Sequence, residues 1–120
     1  MTGRPWPEEL RLDLKDSALG IGFDTGEKFR LTAEYLRVHS PSAEVKGHGA
    51  GAARLVAGKR NVKITDMKAI GNYAVRLIFD DGHDTGLYSW DYLYELGRDH
   101  DRLWADYFAR LDAEGASREP

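Results

Sequence analysis

The run from Val75 to Trp90 constrains the fold more than any other part of the chain. It reads VRLIFDDGHDTGLYSW, with apolar segments on both sides of an Asp-Gly pair. Such a pair between two potential strands is typical of a two-residue type I′ turn, because both central residues need a positive φ. Ser89 can cap a following helix with its hydroxyl, and Gly97 can end that helix. The run therefore predicts a strand, a tight turn, a second strand and the start of a helix.

The first third of the chain has the alternating pattern of an antiparallel meander. Leu10, Leu12 and Leu14 alternate with charged residues, as a half-buried strand requires. The alternation recurs in two further segments, whose apolar residues are Leu19, Ile21 and Phe23, then Phe29 and Leu31. Thr32 can cap a short helix near 33–37.

The second half predicts further strands and two helices. Val62 and Ile64 begin a strand, Gly71-Asn72 indicates a bend or bulge, and the strand over 73–79 is expected to be central. We expect helices near 90–96 and 101–113, and the second carries an apolar stripe that faces the core: Leu103, Trp104, Tyr107, Phe108 and Leu111. Gly115 can end this second helix.

These elements predict the α+β class, with one largely antiparallel twisted sheet of about five to seven strands covered by the carboxy-terminal helices. We expect a single domain over 10–113. It would follow an extended amino-terminal arm over 1–9, in which Trp6 pins the terminus against the body of the domain. A flexible tail over 114–120 would complete the chain.

Charge and composition exclude several function classes. The 120 residues include 17 Lys and Arg against 20 Asp and Glu, so the formal net charge is −3. This charge gives no long-range attraction for nucleic acid or anionic lipid. No stretch approaches the roughly 20 apolar residues of a membrane span, and the first residues lack the apolar core of a signal peptide. We therefore expect a cytoplasmic protein of bacterial type, without a nucleic-acid or membrane partner.

The side chains give weak support to metal or catalytic chemistry. The chain has no cysteine, which removes disulfides, thiolate ligands and thiol nucleophiles. A metal alternative would use His83 with His39, His48 or an aspartate, but spacing alone does not establish that these ligands converge. The glycine-rich 47–51 segment lacks the context of a P-loop or a Rossmann fingerprint, and no Gly-x-Ser-x-Gly elbow is present. We expect no cofactor, with iron or zinc as the weaker alternative, and no catalytic residues.

Arg37 and the polar loop that follows it form the more plausible interaction surface. A guanidinium among hydroxyls and backbone N–H groups can bind a carboxylate or a phosphate. Equally, Arg37 can pair internally with Glu34 or Asp80. The predicted binding surface, for a small metabolite or a protein partner, comprises Arg37, His39, Ser40, Ser42, Glu44, His48, His83 and Trp90.

Three segments together resemble the gamma-butyrobetaine hydroxylase-like N-terminal domain family. They are Leu36 to Val45 (LRVHSPSAEV), Gly71 to Ala74 (GNYA) and Asp80 to Trp90 (DDGHDTGLYSW). The resemblance extends from Leu10 to about Leu111. It implies a domain that, in the two-domain enzymes, precedes a jelly-roll catalytic domain using iron(II) and 2-oxoglutarate.

The resemblance also implies a structural zinc in those enzymes, held by cysteines after the Leu-Arg motif and by a histidine in the later hairpin. The histidine position corresponds to His83, and the cysteine positions correspond to Ser40, Ser42 and Val45. Hydroxyls and an isopropyl group lack the charge and softness of thiolates, so the resemblance implies a stand-alone bacterial branch without this zinc site.

Related domains are attached to P-loop ATPases of iron–sulfur cluster assembly, which implies an accessory role near iron–sulfur or redox-enzyme metabolism. This resemblance and the missing catalytic domain favour a small non-enzymatic accessory or binding domain. Two alternatives stay open: a domain that binds iron or zinc through His83, and a separately encoded subunit of a 2-oxoglutarate and iron dioxygenase.

Overall fold

The computed structural model describes residues 4–42 and 55–120 of the chain. Within these ranges the chain forms three strands, one helix, three more strands and two helices. The strands are β1 (Pro7–Asp13), β2 (Ala18–Phe23), β3 (Lys28–Thr32), β4 (Ile64–Ile70), β5 (Ala74–Phe79) and β6 (Leu87–Ser89). The helices are α1 (Ala33–Val38), α2 (Trp90–Arg98) and α3 (His100–Ala113).

The strands form two antiparallel sheets of three strands each, in the orders β1-β2-β3 and β4-β5-β6. The α+β class, the antiparallel pairing and the central position of β5 are confirmed. The expectation of one sheet with five to seven strands is wrong, because the described strands divide between two sheets. Alternation of apolar residues shows which face of a strand is buried, but it does not determine which strands pair.

A shared core joins the two sheets to the helices. The central strands supply Leu19 and Leu77, and the helices supply Leu36 and Leu93, all with no solvent exposure. The buried Tyr35 hydroxyl also donates to the Leu96 carbonyl over 2.6 Å, which ties α1 to α2. The core therefore holds α1 in a fixed position relative to both the second sheet and α2.

The turn after β5 differs from the sequence prediction. The Phe79 N–H donates to the His83 carbonyl over 3.0 Å, so residues 80–82 form a three-residue loop. Gly82 has a φ of +92°, whereas the φ of Asp81 is not positive. The type I′ prediction is therefore wrong, and the next strand pairs with β5 only from Leu87 onward. A three-residue loop with a left-handed glycine is a common alternative.

Local capping rules succeed at the starts of two helices. The Thr32 and Ser89 hydroxyls accept N–H bonds from Tyr35 and Tyr92, as predicted. Gly97 does not end α2, because the helix continues to Arg98. The Gly71-Asn72 pair lies in the turn between β4 and β5, where Gly71 has a φ of +53°.

The apolar stripe of α3 is divided between two environments. Tyr107 and Leu111 are buried in a small cluster with Val38, whereas Phe108 is 38% exposed. Leu103 and Trp104 are half-buried against the main core. Gly115 follows the helix with a φ of +63°, as a carboxy-terminal stop requires.

Both ends of the described chain make specific contacts. The amide and carbonyl groups of Trp6 pair with Asp24 over 3.1 and 2.8 Å, and the Trp6 ring meets the edge of Trp90. In the segment predicted as a tail, the Arg118 guanidinium donates two hydrogen bonds to the Glu34 carboxylate over 2.8 and 2.6 Å. Within the described ranges, no helix is long and apolar enough to cross a bilayer.

Candidate functional site

A group of hydroxyls and one imidazole lies between the end of α1 and the β5–β6 hairpin, and three of its four residues are buried. We call Ser40, Ser42, His83 and Thr85 the hydroxyl–imidazole cluster. The Ser40 Oγ lies 2.8 Å from the His83 Nε2, and the Ser42 Oγ lies 2.8 Å from the Thr85 Oγ1. Ser40, Ser42 and His83 are only 2%, 7% and 5% exposed, respectively. Hydrogen bonds within the cluster therefore offset the cost of burying these polar groups.

The surrounding backbone brings this cluster together. The Ser40 N–H bonds the Arg37 carbonyl at the end of α1, which positions the serine beside the hairpin. A Cβ at Gly86 would lie 2.5 Å from the Ser40 Oγ, so only glycine permits this close approach. The Tyr88 hydroxyl donates to the Leu36 carbonyl, and burial raises the pKa of Tyr88, so the phenol stays protonated. The contact is thus part of a packed tertiary junction.

An ion cluster lies next to the imidazole, centred on Asp81. The Arg37 Nε and the Lys59 Nζ each lie 2.7 Å from the Asp81 Oδ2, and the His83 N–H donates to the Oδ1 over 3.0 Å. Burial raises the pKa of Asp81, but the Lys59, His83 and Arg37 donors more than offset this effect. They lower the pKa to about 2. Asp81 is therefore a permanent anion at neutral pH.

This cluster decides between the two interpretations of Arg37. The structure shows internal pairing, but with Asp81 instead of Glu34 or Asp80. Glu34 pairs with Arg118, and Asp80 accepts the Lys63 N–H. The Arg37 side chain is only 12% exposed, and its Nη1 has no hydrogen-bond partner in the described part of the chain. Arg37 thus anchors the hairpin to α1.

The other predicted surface residues have different surroundings. His39 bonds the Tyr35 carbonyl through Nδ1 and lies among aromatic rings of α3, and burial lowers its pKa, so the ring is neutral at pH 7. Trp90 donates to the Asn72 carbonyl over 2.7 Å beside Trp6. Glu44 and His48, with the glycine-rich 47–51 segment, lie outside the described residues.

The structure therefore brings Arg37, Ser40, Ser42 and His83 into one region, whereas His39 and Trp90 lie in others. The sequence gives no signal for Lys59, and its Asp-Gly pair indicates a turn residue at Asp81 and not a member of the binding surface. Across residues 4–42 and 55–120, no three His, Asp or Glu side chains converge in a way that could hold a metal ion. His39 bonds the Tyr35 carbonyl, whereas His83 bonds the Ser40 hydroxyl.

Comparison with known proteins identifies the family. The sequence model described as "Gamma-butyrobetaine hydroxylase-like, N-terminal" matches residues 10–94. The chain belongs to this family. The match confirms the resemblance that the Leu36–Val45 and Asp80–Trp90 segments indicate. No match to this member of the gamma-butyrobetaine hydroxylase-like N-terminal family was found among curated proteins.

Three solved structures resemble this family member. A protein studied by NMR in solution is 47% identical, with a TM-score of 0.85, over 98% of this chain and 93% of its own. Another NMR structure is 53% identical, with a TM-score of 0.82, over 100% and 92% of the two chains. A crystal structure from Acidithiobacillus ferrooxidans is of a protein of unknown function in the DUF971 family. It is 35% identical, with a TM-score of 0.64, over 76% and 91% of the two chains.

Removing the Ser40 hydroxyl tests the hydroxyl–imidazole cluster. We expect Ser40→Ala to lower the free energy of unfolding by about 1.5 kcal/mol, because the buried imidazole loses this hydrogen-bond partner. Urea denaturation measures the change. Ser17→Ala is the matched control, because the buried Ser17 Oγ has no hydrogen-bond partner among the described residues. An equal loss in both variants would contradict a specific contribution of the Ser40–His83 contact.

Proposed function

We propose that the protein is a metal-independent, non-enzymatic accessory domain that binds a partner protein in the cytoplasm. The observation that carries the proposal is the Ser40–His83 contact of 2.8 Å. It occupies positions that, by the family resemblance, hold zinc ligands in the two-domain enzymes. A neutral hydroxyl is a poor substitute for a thiolate. The contact can join α1 to the hairpin without an ion, and it engages one of the two imidazole nitrogens through which a histidine can bind a metal.

The partner surface that we propose is an aromatic cleft, formed by Pro5, Trp6, Tyr73 and Trp90. These residues line a cavity of about 250 Å³, together with Arg4, Ser89 and Asp91. Trp6 and Tyr73 are 49% and 55% exposed, although both are large aromatic residues. Trp and Tyr are enriched in protein interfaces, where they contribute much of the binding energy. Trp90 belongs to the surface predicted from the sequence.

The partner that we propose is a P-loop ATPase of iron–sulfur cluster assembly, since related domains are attached to such ATPases. The Arg4–Asp91 ion pair at the edge of the cleft leaves no net charge there. The cleft therefore suits an apolar or aromatic segment of the partner better than a charged one. A separately encoded dioxygenase is the other partner to be tested.

Titration of the ¹⁵N-labelled protein with each purified candidate from the same organism tests the proposal. We expect the ATPase to shift the Trp6 and Trp90 indole signals, and Tyr73→Ser to weaken its binding at least tenfold. Leu14→Ser is the matched control, because Leu14 is 60% exposed and does not line the cleft. Binding of the dioxygenase alone, or shifts confined to other surfaces, would contradict the proposed partner.

Metal analysis of untagged protein tests the metal-independent part separately. We expect less than about one tenth of an equivalent of zinc or iron per chain, and no change in melting temperature on addition of a chelator. If each chain held one tightly bound ion, and if removing that ion with a chelator unfolded the protein, the result would instead support the alternative in which His83 binds a metal.

A further inference from the structure

A second cleft shares no lining residue with the hydroxyl–imidazole cluster. Its volume is about 660 Å³, within the range of small-molecule sites. It lies between the β1–β2 turn, the start of α1, the segment before β4 and the carboxy-terminal segment. We call it the basic cleft, since four cationic side chains line it: Lys15, Arg60, Lys63 and Arg118. The cations are concentrated here although the chain as a whole has a net charge of −3.

The acidic side chains of the basic cleft are already paired. The Glu34 carboxylate receives two hydrogen bonds from Arg118. Asp16 lies 3.4 Å from the Arg30 guanidinium. In contrast, Lys15 and Lys63 form no ion pair within the described residues. The cleft therefore presents two ammonium groups that have no ion-pair partner among the described residues, and this favours an anion.

Polar and apolar groups complete the cleft. Asn61 adds an exposed amide that has no hydrogen-bond partner in the described ranges. Ser17 also lines the cleft, and in the β1–β2 turn its backbone has a φ of +49°. A left-handed backbone at a non-glycine residue is uncommon, and such strain is concentrated at functional sites. Trp104 forms an apolar wall, which the Arg118 guanidinium contacts at 5.7 Å from the ring centroid. The cleft thus combines cationic groups with an apolar surface, as a charged organic molecule requires.

We propose that the basic cleft binds a small organic phosphate. A phosphate monoester has about two negative charges and three acceptor oxygens at neutral pH. Lys15 and Lys63 supply the two charges, and the Asn61 amide supplies a further donor. The organic part rests against Trp104. A simple inorganic anion would leave this wall uncovered, so the proposal predicts tighter binding when the phosphate carries an aromatic or apolar group.

Phenyl phosphate is the probe, and NMR titration of the ¹⁵N-labelled full chain is the measurement. We expect saturable shifts at the Trp104 indole and at the amides of residues 61–63. Inorganic phosphate should bind at least tenfold more weakly, and sodium sulfate at equal ionic strength should give only small, non-saturating shifts. Equal, non-saturating responses to all three anions would overturn the proposal.

Charge reversal at single lysines locates the site. We expect Lys63→Glu to weaken phenyl phosphate binding at least tenfold, whereas Lys28→Glu leaves it unchanged. Both variants change the net charge by the same amount, because each replaces a lysine by a glutamate. Lys28 is an exposed lysine of β3 that does not line the basic cleft, so it serves as the control. Equal weakening in both variants would show a general charge effect and overturn the assignment.

Sedimentation with phosphatidic acid vesicles distinguishes a lipid phosphate from a soluble one. We expect the protein to stay in the supernatant. Cosedimentation that depends on Lys63 would overturn the assignment of a soluble ligand.

Discussion

Replacing Asp81 by asparagine is expected to lower the free energy of unfolding by about 3 kcal/mol at pH 7, because the change leaves two cations without their anion. The Arg37 and Lys59 side chains are only 12% and 24% exposed, so water cannot fully solvate their unpaired positive charges. The asparagine oxygen can still accept the His83 N–H, and the loss therefore reports mainly on the ion cluster. Urea denaturation of both proteins measures the change.

The same pair of proteins should show an acid-dependent difference. The pKa of Asp81 in the folded protein, about 2, lies below the ordinary value of 3.8, so ionised Asp81 stabilises the folded state. This contribution is fully present at pH values above the pKa of Asp81 in the unfolded chain. It is lost as the pH falls through the pKa of Asp81 in the folded protein. We expect the stability difference between wild type and Asp81→Asn to shrink by about 2 kcal/mol between pH 5 and pH 2.

Asp84→Asn is the control for both measurements. Asp84 lies in the same hairpin, but its side chain is 52% exposed and its ion pair with Arg76 is long, at 3.9 Å. We expect its replacement to change stability by less than about 0.5 kcal/mol, as for most exposed ion pairs. If Asp81→Asn behaved like this control at pH 7, the ion cluster would not hold the hairpin to α1.

The features that the sequence could predict are local ones. Each cap at Thr32 and Ser89 joins a hydroxyl to an N–H group three residues later, so a short window of sequence contains both partners. The buried face of each strand can also be predicted, because the alternation of apolar and polar residues is a property of one segment. The division into two sheets depends on contacts between distant segments, and no local pattern encodes them.

The candidate site shows the same limit. Arg37 and Asp81 are 44 positions apart, and the Asp-Gly sequence also satisfies the ordinary requirements of a turn, so nothing local indicates the ion pair. Only the family resemblance relates Ser40 to His83, because it carries information about tertiary contacts that periodicity lacks. His39 is adjacent to Ser40 in sequence, yet it contacts Tyr35 and Trp104. It caps the end of α1 and stays beside that helix, whereas Ser40 lies beyond the cap, at the hairpin.

Gly97 is the clearest case in which a tertiary contact overrides a local rule, and its replacement by valine should cost about 3 kcal/mol of folding stability. A Cβ at this position would lie 2.3 Å from the Phe29 Cδ2 and 2.4 Å from its Cγ, well inside van der Waals contact. The Phe29 ring is held in turn by the edges of Phe23 and Tyr94, with ring centroids 5.9 Å away in both cases. Relief therefore requires α2 or β3 to move, and thermal or urea denaturation measures the cost.

A double-mutant cycle with Phe29→Ala separates this clash from helix propensity. Alanine is a better helix former than glycine by about 1 kcal/mol, so Gly97→Ala alone combines a gain in propensity with the cost of crowding. With the Phe29 ring removed, only the gain should remain, and Gly97→Ala should then stabilise the protein. We expect a coupling energy of at least about 1 kcal/mol between the two positions. Additive effects would mean that Gly97 does not serve the close approach of α2 to β3.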